Sequence, residues 1–435
     1  MGETTRAQGA VPPRGGAAEA AGRALAGAAP DGGAAVRPGT PADAVGGVRP
    51  AYVAAPADPA AAAAVLAVAA EHALTVVPRG NGTKIDWGGP PRDCDLVLET
   101  TSLTGIEHAV GDLVVRAGAG VPVADLQAAL GSAGQRLAVD TVVPGSTVGG
   151  MVATGLSGPR RILHGPVRDL VIGMTVLRAD GVAARSGGAV VKNVAGYDLG
   201  KLHTGAYGTL GVIVSVTFRL HPVPPALRLL RAAAPGPEAL REWAAAVLHS
   251  PTAPSAVELD WPPEGDPELA VLLEGAAAGL DARGAAVAAV LPEPPHHADA
   301  LPPGWGELPG APGDTLLRVV APPPEAVRAA AVLRDAGRAR GILAAVRGSL
   351  GTGVLHAAVP ADAPPEAVAA VVAAARAALA GAPGGAVTVP HAAPPVRAAG
   401  LDLWGEVPGA ALMRAIKDRF DPGHRLSPGR LMEGI

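Results

Sequence analysis

The stretch Pro144-Gly145-Ser146-Thr147-Val148-Gly149-Gly150-Met151-Val152-Ala153-Thr154-Gly155-Leu156-Ser157-Gly158-Pro159-Arg160-Arg161, running on to Gly165-Pro166-Val167-Arg168-Asp169, constrains this chain more than any other part of it. Six glycines fall within it, interleaved with serine, threonine and arginine. Glycine lets backbone approach a ligand closely and adopt positive φ. The N–H groups that such turns expose can line an anion-binding concavity. The stretch therefore predicts a loop that cradles a long, phosphate-bearing cofactor. Taken alone, it is also compatible with a plain glycine-rich loop.

Composition narrows the classes. A chain of 435 residues with 49% hydrophobic content can bury a sizeable core and predicts two or more domains. A net charge of −4 and 2% aromatics argue against a polyanionic partner and against base-stacking platforms. The single cysteine, Cys94, can form neither an internal disulfide nor an iron–sulfur cluster by itself, and it reads as a partly buried thiol beside a strand. No segment has the length and apolarity of a membrane span. Charged residues, prolines and glycines interrupt any signal-peptide core at the N-terminus. The chain reads as cytoplasmic.

Residues 1–50 are rich in Ala, Gly and Pro and poor in large apolar side chains, so they read as a disordered extension, with one marginal helix around Ala17–Ala26. Asp58-Pro59 is a helix start, an N-cap followed by proline at the first helical position. That helix should run to about His72 and lead into a strand at Thr75–Pro78. Further strands are expected at Asp95–Leu98, Leu113–Ala117, Val171–Leu177 and Gly211–Leu220, with a helix at Pro122–Leu130. His221-Pro222-Val223-Pro224-Pro225 is a rigid exit and marks a boundary, dividing 51–222 from 223–400. Beyond it the order β-α-β-β-α occurs twice, which predicts two ferredoxin-like halves sharing an antiparallel sheet with helices on one face. The tail, 401–435, carries a last helix near Ala410–Phe420.

Two other motifs accompany the glycine stretch. Arg79-Gly80-Asn81-Gly82-Thr83-Lys84 follows a predicted strand and offers free backbone plus donors. It lacks the P-loop spacing and is not a Gly-x-Gly-x-x-Gly opening a helix, so neither a P-loop nor a Rossmann site is expected. Lys192-Asn193-Val194-Ala195-Gly196-Tyr197-Asp198 and Gly205-Ala206-Tyr207-Gly208-Thr209-Leu210-Gly211-Val212-Ile213 form the third, with glycines again preceding a strand.

The order and spacing of the three resemble the FAD-binding domain of the vanillyl-alcohol oxidase/PCMH-type superfamily over about residues 50–222. Within it, the words Thr147–Ala153, Gly155–Arg161, Val167–Asp169 and Lys192–Asp198 resemble the FAD-binding subunits of bacterial glycolate oxidases. Leu403-Trp404-Gly405 and Lys417–Arg430 match that family's C-terminus. The resemblance implies an α+β fold: a PCMH-type FAD-binding domain of two α+β subdomains, then a ferredoxin-like duplicated cap of the FAD-linked oxidase C-terminal kind, then a C-terminal segment that returns to the first domain. It implies that Arg79, Gly80, Asn81, Gly82, Thr83 and Lys84 wrap the FAD pyrophosphate. Pro144, Gly145, Ser146, Thr147, Gly149 and Gly150, with Thr154, Gly155, Ser157 and Gly158, would run along the diphosphate and isoalloxazine. Gly165 would be a close-approach glycine, and Gly208, Gly211, Val212 and Ile213 would meet the ring systems. No histidine stands in the 79–84 turn, where some members bond covalently to the flavin, so FAD is expected to be non-covalent. A second flavin subunit and an iron–sulfur subunit are the implied partners, glycolate oxidation to glyoxylate the implied reaction, and peripheral membrane attachment would come through the partners.

The cap departs from its hydroxy-acid-oxidising relatives. Where they carry Gly-Asp-Gly-Asn-x-His, this chain has Gly351-Thr352-Gly353-Val354-Leu355-His356. Oxidising a 2-hydroxy acid requires a proton acceptor, cations for the carboxylate and a flavin. The sequence assigns no catalytic residue and no metal site. His356 reads as a satisfied sheet histidine, and His296-His297 as loop residues. His164 and His203 are candidates to approach the flavin. Arg160 and Arg161 either neutralise a ligand anion or form ion pairs, and Tyr197 packs beside the flavin pocket. A stand-alone FAD oxidoreductase for another hydroxy acid or alcohol, and an accessory subunit with structural FAD, are the alternatives.

Overall fold

Asp58 accepts a hydrogen bond from the Ala61 N–H at 2.8 Å and opens the helix Pro59–Glu71 where the Asp-Pro pair predicts it. The computed structural model describes residues 15–28, 33–189, 197–291 and 294–435. The helix covers a four-stranded sheet in the order Ala34–Pro38, Tyr52–Pro56, Leu96–Glu99, Val76–Arg79. The first pair is antiparallel and the other two are parallel.

Residues before 50 are not a disordered extension where they are described. The helix Gly15–Gly27 packs on Pro59–Glu71, and its Ala21 and Leu25 are buried among Val65, Leu66 and Leu96. The strand Ala34–Pro38 completes the sheet. Asp43 anchors the turn that follows, paired with Arg37 at 2.7 Å and Arg79 at 2.9 Å. Alanine buries little area by itself, so a helix of this composition is held by a partner surface that no local pattern reveals.

A five-stranded antiparallel sheet comes next, in the order Ile106–Ala109, Val114–Gly118, Val212–Arg219, Val171–Leu177, Ala183–Gly187. Helices Val123–Gly131 and Val148–Thr154 pack on it through Val123, Leu126, Leu130, Met151 and Val152. After the proline cluster, the expected repeat is present. Strand Ala226–Ala233, helix Pro237–Leu248, strands Ala256–Trp261 and Glu268–Gly275 and helix Ala277–Ala289 form one unit. Strand Thr315–Val320, helix Pro323–Arg338, strands Ala345–Ser349 and Val354–Val359 and helix Pro365–Ala378 form the other. Together with edge strands they make an eight-stranded sheet.

One face of that sheet is apolar and carries the helices, with Leu317, Val319, Val346 and Leu355 buried against them. Strand side chains alternate between faces, so Arg318, His356, Arg347 and Asp260, in cross-strand register on four adjacent strands, share the other face. That face is turned toward the first half of the chain: Gly351 lies against Ile162, and Gly306 against Pro159 and Asp140. The C-terminal helix Ala410–Phe420 returns to the four-stranded sheet. Its buried Lys417 donates to the Thr209 carbonyl at 2.7 Å, and Leu426 bridges Val76 in parallel.

Candidate functional site

The turn after Val76–Arg79 and the loop before Val148–Thr154 are about 60 residues apart in sequence, and the fold zips them together. Asn81 donates its amide to the Gly145 carbonyl at 2.9 Å. The Lys84 ammonium donates to the Ser146 hydroxyl at 2.6 Å and to Thr83 at 3.1 Å. Thr147 caps its helix, accepting from the Gly150 N–H at 3.2 Å. The third motif closes the cleft from the other side: the Tyr207 N–H donates to the Ala153 carbonyl at 2.9 Å, and Gly208, at φ +75°, packs so closely that a Cβ there would crowd Pro78 and Ser427 at 3.3 Å.

The resulting cleft is lined by the whole turn from Arg79 to Lys84, by Thr147, Gly149, Gly150 and Thr154, and by Gly208, Gly211, Val212 and Ile213. The glycines do different work. A Cβ on Gly80 would collide with the Thr147 hydroxyl, and one on Gly149 would stand 2.9 Å from the Ala119 methyl, so Gly149 fits helix to strand. A Cβ on Gly150 would point into the cleft, 3.3 Å from Thr147 and 3.9 Å from Lys84. Lys84 is 8% exposed and has no carboxylate partner among the described residues. Burial alone pushes its ammonium down to about 8. A buried cation without a counter-anion, beside backbone freed by glycine, fits a cofactor diphosphate.

Other expected residues lie elsewhere. The Arg79 guanidinium is committed to Asp43 at 2.9 Å and Glu99 at 2.6 Å, so this side chain is not an idle anion donor. Pro144 borders a neighbouring cavity with Val143 and Leu308. Gly145 and Ser146 reach the cleft through Asn81 and Lys84. Gly155 ends its helix at φ +64° against Gly205, and Gly165, at φ +80°, turns the chain beside Asp169; neither lines the cleft. Ser157 and Gly158 line a second cavity, against the cap. His164 packs against His221 at a tilt, with ring centroids 4.4 Å apart, and burial pushes it down to about 4. His203 is buried 5.8 Å from the Phe420 ring. Tyr197 is 92% exposed and lines neither cavity among the described residues. Lys192, Asn193, Val194, Ala195 and Gly196 lie outside the described residues. Cys94 is buried and free, its thiol pushed up to about 12 by burial.

The second cavity, about 150 Å³, lies between Ser157–Arg161 and the polar face of the cap sheet. The two arginines split the expected alternatives between them. Arg160 is held by Asp140 and, at 3.0 Å, by Glu274. The Arg161 guanidinium has no hydrogen bond or ion pair to a described residue, and burial pushes it down to about 10, with Arg318 adding and Glu258 opposing. The Arg318 guanidinium is likewise without one, and burial disfavours its charge. His356 is not a satisfied sheet histidine: its Nε2 is buried without a partner. Burial, with Arg318 and Arg161 adding, pushes the ring down to about 3, so it is neutral. Burial pushes the Glu258 carboxyl well above its usual range. The Ser349 hydroxyl, directly opposite on the neighbouring strand, acts against that rise. The available signal was a lone polar residue in an apolar run, as in Leu316-Leu317-Arg318-Val319-Val320, on a sheet covered on both faces.

The family model for the FAD binding domain matches residues 50–198, and that for the FAD linked oxidases, C-terminal domain, matches 312–431. The chain is similar to glycolate oxidase subunit GlcE of Escherichia coli, 47% identical over 28% of this chain and 35% of the relative. It is 36% identical to the D-lactate dehydrogenase of Archaeoglobus fulgidus over 37% of this chain and 36% of that protein. It is 32% identical to glycolate oxidase subunit GlcD of Bacillus subtilis over 51% of this chain and 47% of that one. These matches span between a third and a half of the relatives' lengths. Among solved structures, Physcomitrella patens BBE-like 1 superposes with a TM-score of 0.69 at 15% identity, covering 94% of this chain and all of its own. Alkyldihydroxyacetonephosphate synthase gives 0.62 at 15% identity over 88% of this chain and 76% of its own. At such identities the likeness is one of fold.

Proposed function

The chain belongs to the FAD-linked oxidases with a PCMH-type FAD-binding domain, and from that premise we propose that it is the FAD-binding subunit of an oxidase of small 2-hydroxy acids such as glycolate. The observation that carries the cofactor assignment is the zipped cleft with its uncompensated Lys84. The turn 79–84 would hold the diphosphate through backbone N–H groups and Lys84. The bare edge at Gly150 and Gly208 would admit the ring systems. Among the described residues lining the cleft there is neither a histidine nor a cysteine, in keeping with a non-covalent flavin. Bound FAD supplies the two-electron acceptor that side chains lack. The chain's own contribution is to bind: the buried Lys84 and Thr147 offer donors at the cleft, while Ser146, whose hydroxyl donates to the Val143 carbonyl at 2.6 Å, holds Lys84 in place.

With one buried cysteine among its residues, this chain offers no thiolate set for a cluster, so an iron–sulfur centre of such an oxidase would sit in a partner, beside a second flavin subunit. The relatives named as glycolate oxidase subunits support an oxidase built from more than one subunit. The purified protein should be yellow and release intact FAD on denaturation. Co-purified with its partners, it should reduce an artificial acceptor when given glycolate or lactate. A folded, colourless protein indifferent to FAD would refute the assignment. Full turnover by a complex whose flavin in this subunit has been displaced would make the FAD structural.

A further inference from the structure

We propose that a third cavity, between the strands Val171–Leu177 and Ala183–Gly187 and the end of the helix Ala410–Phe420, is a binding site for a small aromatic carboxylic acid. It shares no lining residue with the cofactor cleft or with the cavity against the cap, and it stands apart from the hydroxy-acid reading above.

The cavity arises where the cover of the five-stranded sheet thins. The helix Val148–Thr154 packs on the strands Val114–Gly118 and Val212–Arg219. Toward the edge strand Ala183–Gly187 the cover is reduced to one-turn helices, among them Gly200–His203. Met174 and Val176 lie opposite Ser186 and Ala184, so these four side chains share one face, and a space of about 270 Å³ opens above them. A dry cavity of about 150 Å³ already accepts benzene.

Burial grades the lining by depth. Met174, Val176, Leu210 and His203 are each at most 8% exposed and form the floor. Phe420 is half-buried, and Arg178, Arg185 and Arg419 are exposed at the mouth. Arg178 is engaged by Asp180 at 2.6 Å. The guanidiniums of Arg185 and Arg419 pair with no described residue. An apolar floor under a cationic mouth suits a molecule that is apolar at one end and anionic at the other, and a guanidinium fork matches a carboxylate.

The floor supplies the second line. The buried His203 imidazole has no hydrogen-bond partner among the described residues. Burial pushes it down to about 4, so the ring is neutral and offers one donor and one acceptor. A buried polar group left unmet is costly, and a hydroxyl at the inner end of the ligand would meet it. The Phe420 ring stands at 73° to His203, with centroids 5.8 Å apart, and the Met174 thioether lies on the same floor. Edge-to-face and sulfur contacts of this kind favour an aromatic body over an aliphatic one.

The test is calorimetric titration of the full-length holoprotein with para-hydroxyphenylacetate, phenylacetate and acetate. Para-hydroxyphenylacetate should bind saturably without releasing FAD, about threefold to tenfold more tightly than phenylacetate, and acetate should not bind over the same range. His203→Leu should erase the preference for the hydroxyl while sparing phenylacetate. Arg185→Gln combined with Arg419→Gln should weaken both aromatic acids by about tenfold; both side chains are exposed, so the fold is kept. Ala184→Trp, on the edge strand, should fill the cavity and abolish binding with FAD content and turnover unchanged. No binding of either aromatic acid to the wild-type protein overturns the site. So does binding that survives Ala184→Trp, that acetate matches, or that displaces FAD or competes with glycolate, since each places the acid elsewhere.

Discussion

Lys84 carries a charge that no described carboxylate neutralises, and its titration makes that measurable. Burial holds its pKa at about 8, against 10.5 for a free side chain. Between those values the unfolded chain binds the extra proton. The apoprotein therefore gains stability as pH rises from 8 to 10.5 and bears the full cost, about 3 kcal/mol, below 8. A bound diphosphate reverses the sign locally by favouring the ammonium. FAD affinity should then fall as pH rises through 8, with proton uptake on binding near that pH. Lys84→Met should bind about tenfold more weakly at pH 7 and lose the pH dependence. Fluorescence titration of the apoprotein reads both, and an unchanged slope in the variant would exclude Lys84. The paired glycines make a second contrast. Gly150→Val should abolish FAD binding in a protein that still folds, because its side chain enters the cleft. Gly149→Val should lower the melting temperature, because its side chain meets Ala119. The same loss of FAD with unchanged stability in both would contradict the assignment.

At the scale of elements, local chemistry was legible wherever a strong terminator or alternation stood in the sequence. Asp58-Pro59 announced the helix Pro59–Glu71, and the duplicated cap followed from its β-α-β-β-α order. The helix Gly15–Gly27 stands where the marginal helix at Ala17–Ala26 was expected, but it is a packed part of the fold and not of a disordered extension. Its contribution comes from where Ala21 and Leu25 land, against Pro59–Glu71, and not from how apolar it is. Leu25 is fully buried, so Leu25→Ala should cost about 2–5 kcal/mol in urea unfolding. A change under about 0.5 kcal/mol would mean the helix is dispensable.

For the whole molecule, the cap and the cofactor half are tied by Glu274 on the strand Glu268–Gly275, which accepts from Arg136 at 2.7 Å and Arg160 at 3.0 Å. Burial alone would raise this carboxyl; hydrogen bonds from Arg136 and Arg160 hold it at about 2, below its usual 4.5. Its folded pKa is depressed, so its stabilisation is complete above pH 4.5 and lost as pH falls toward 2. Glu274→Ala should destabilise by about 3 kcal/mol, since it leaves two buried guanidiniums short of a partner, and should flatten that acid limb in thermal melts. Unaltered melts at both pH values would show the tie to be idle. The sequence by itself determined the positions that need bare backbone, the turn without a histidine, the single cysteine and the repeated cap, because each is written in residue type and spacing. Only the tertiary structure decided which charges are satisfied. Arg160 and Arg161 are adjacent and identical in type, yet one is clamped by Asp140 and Glu274 while the other lines a cavity against the cap with its guanidinium unpaired among the described residues. Partnership between side chains more than a hundred residues apart is fixed by how the two halves dock, and no local pattern carries it.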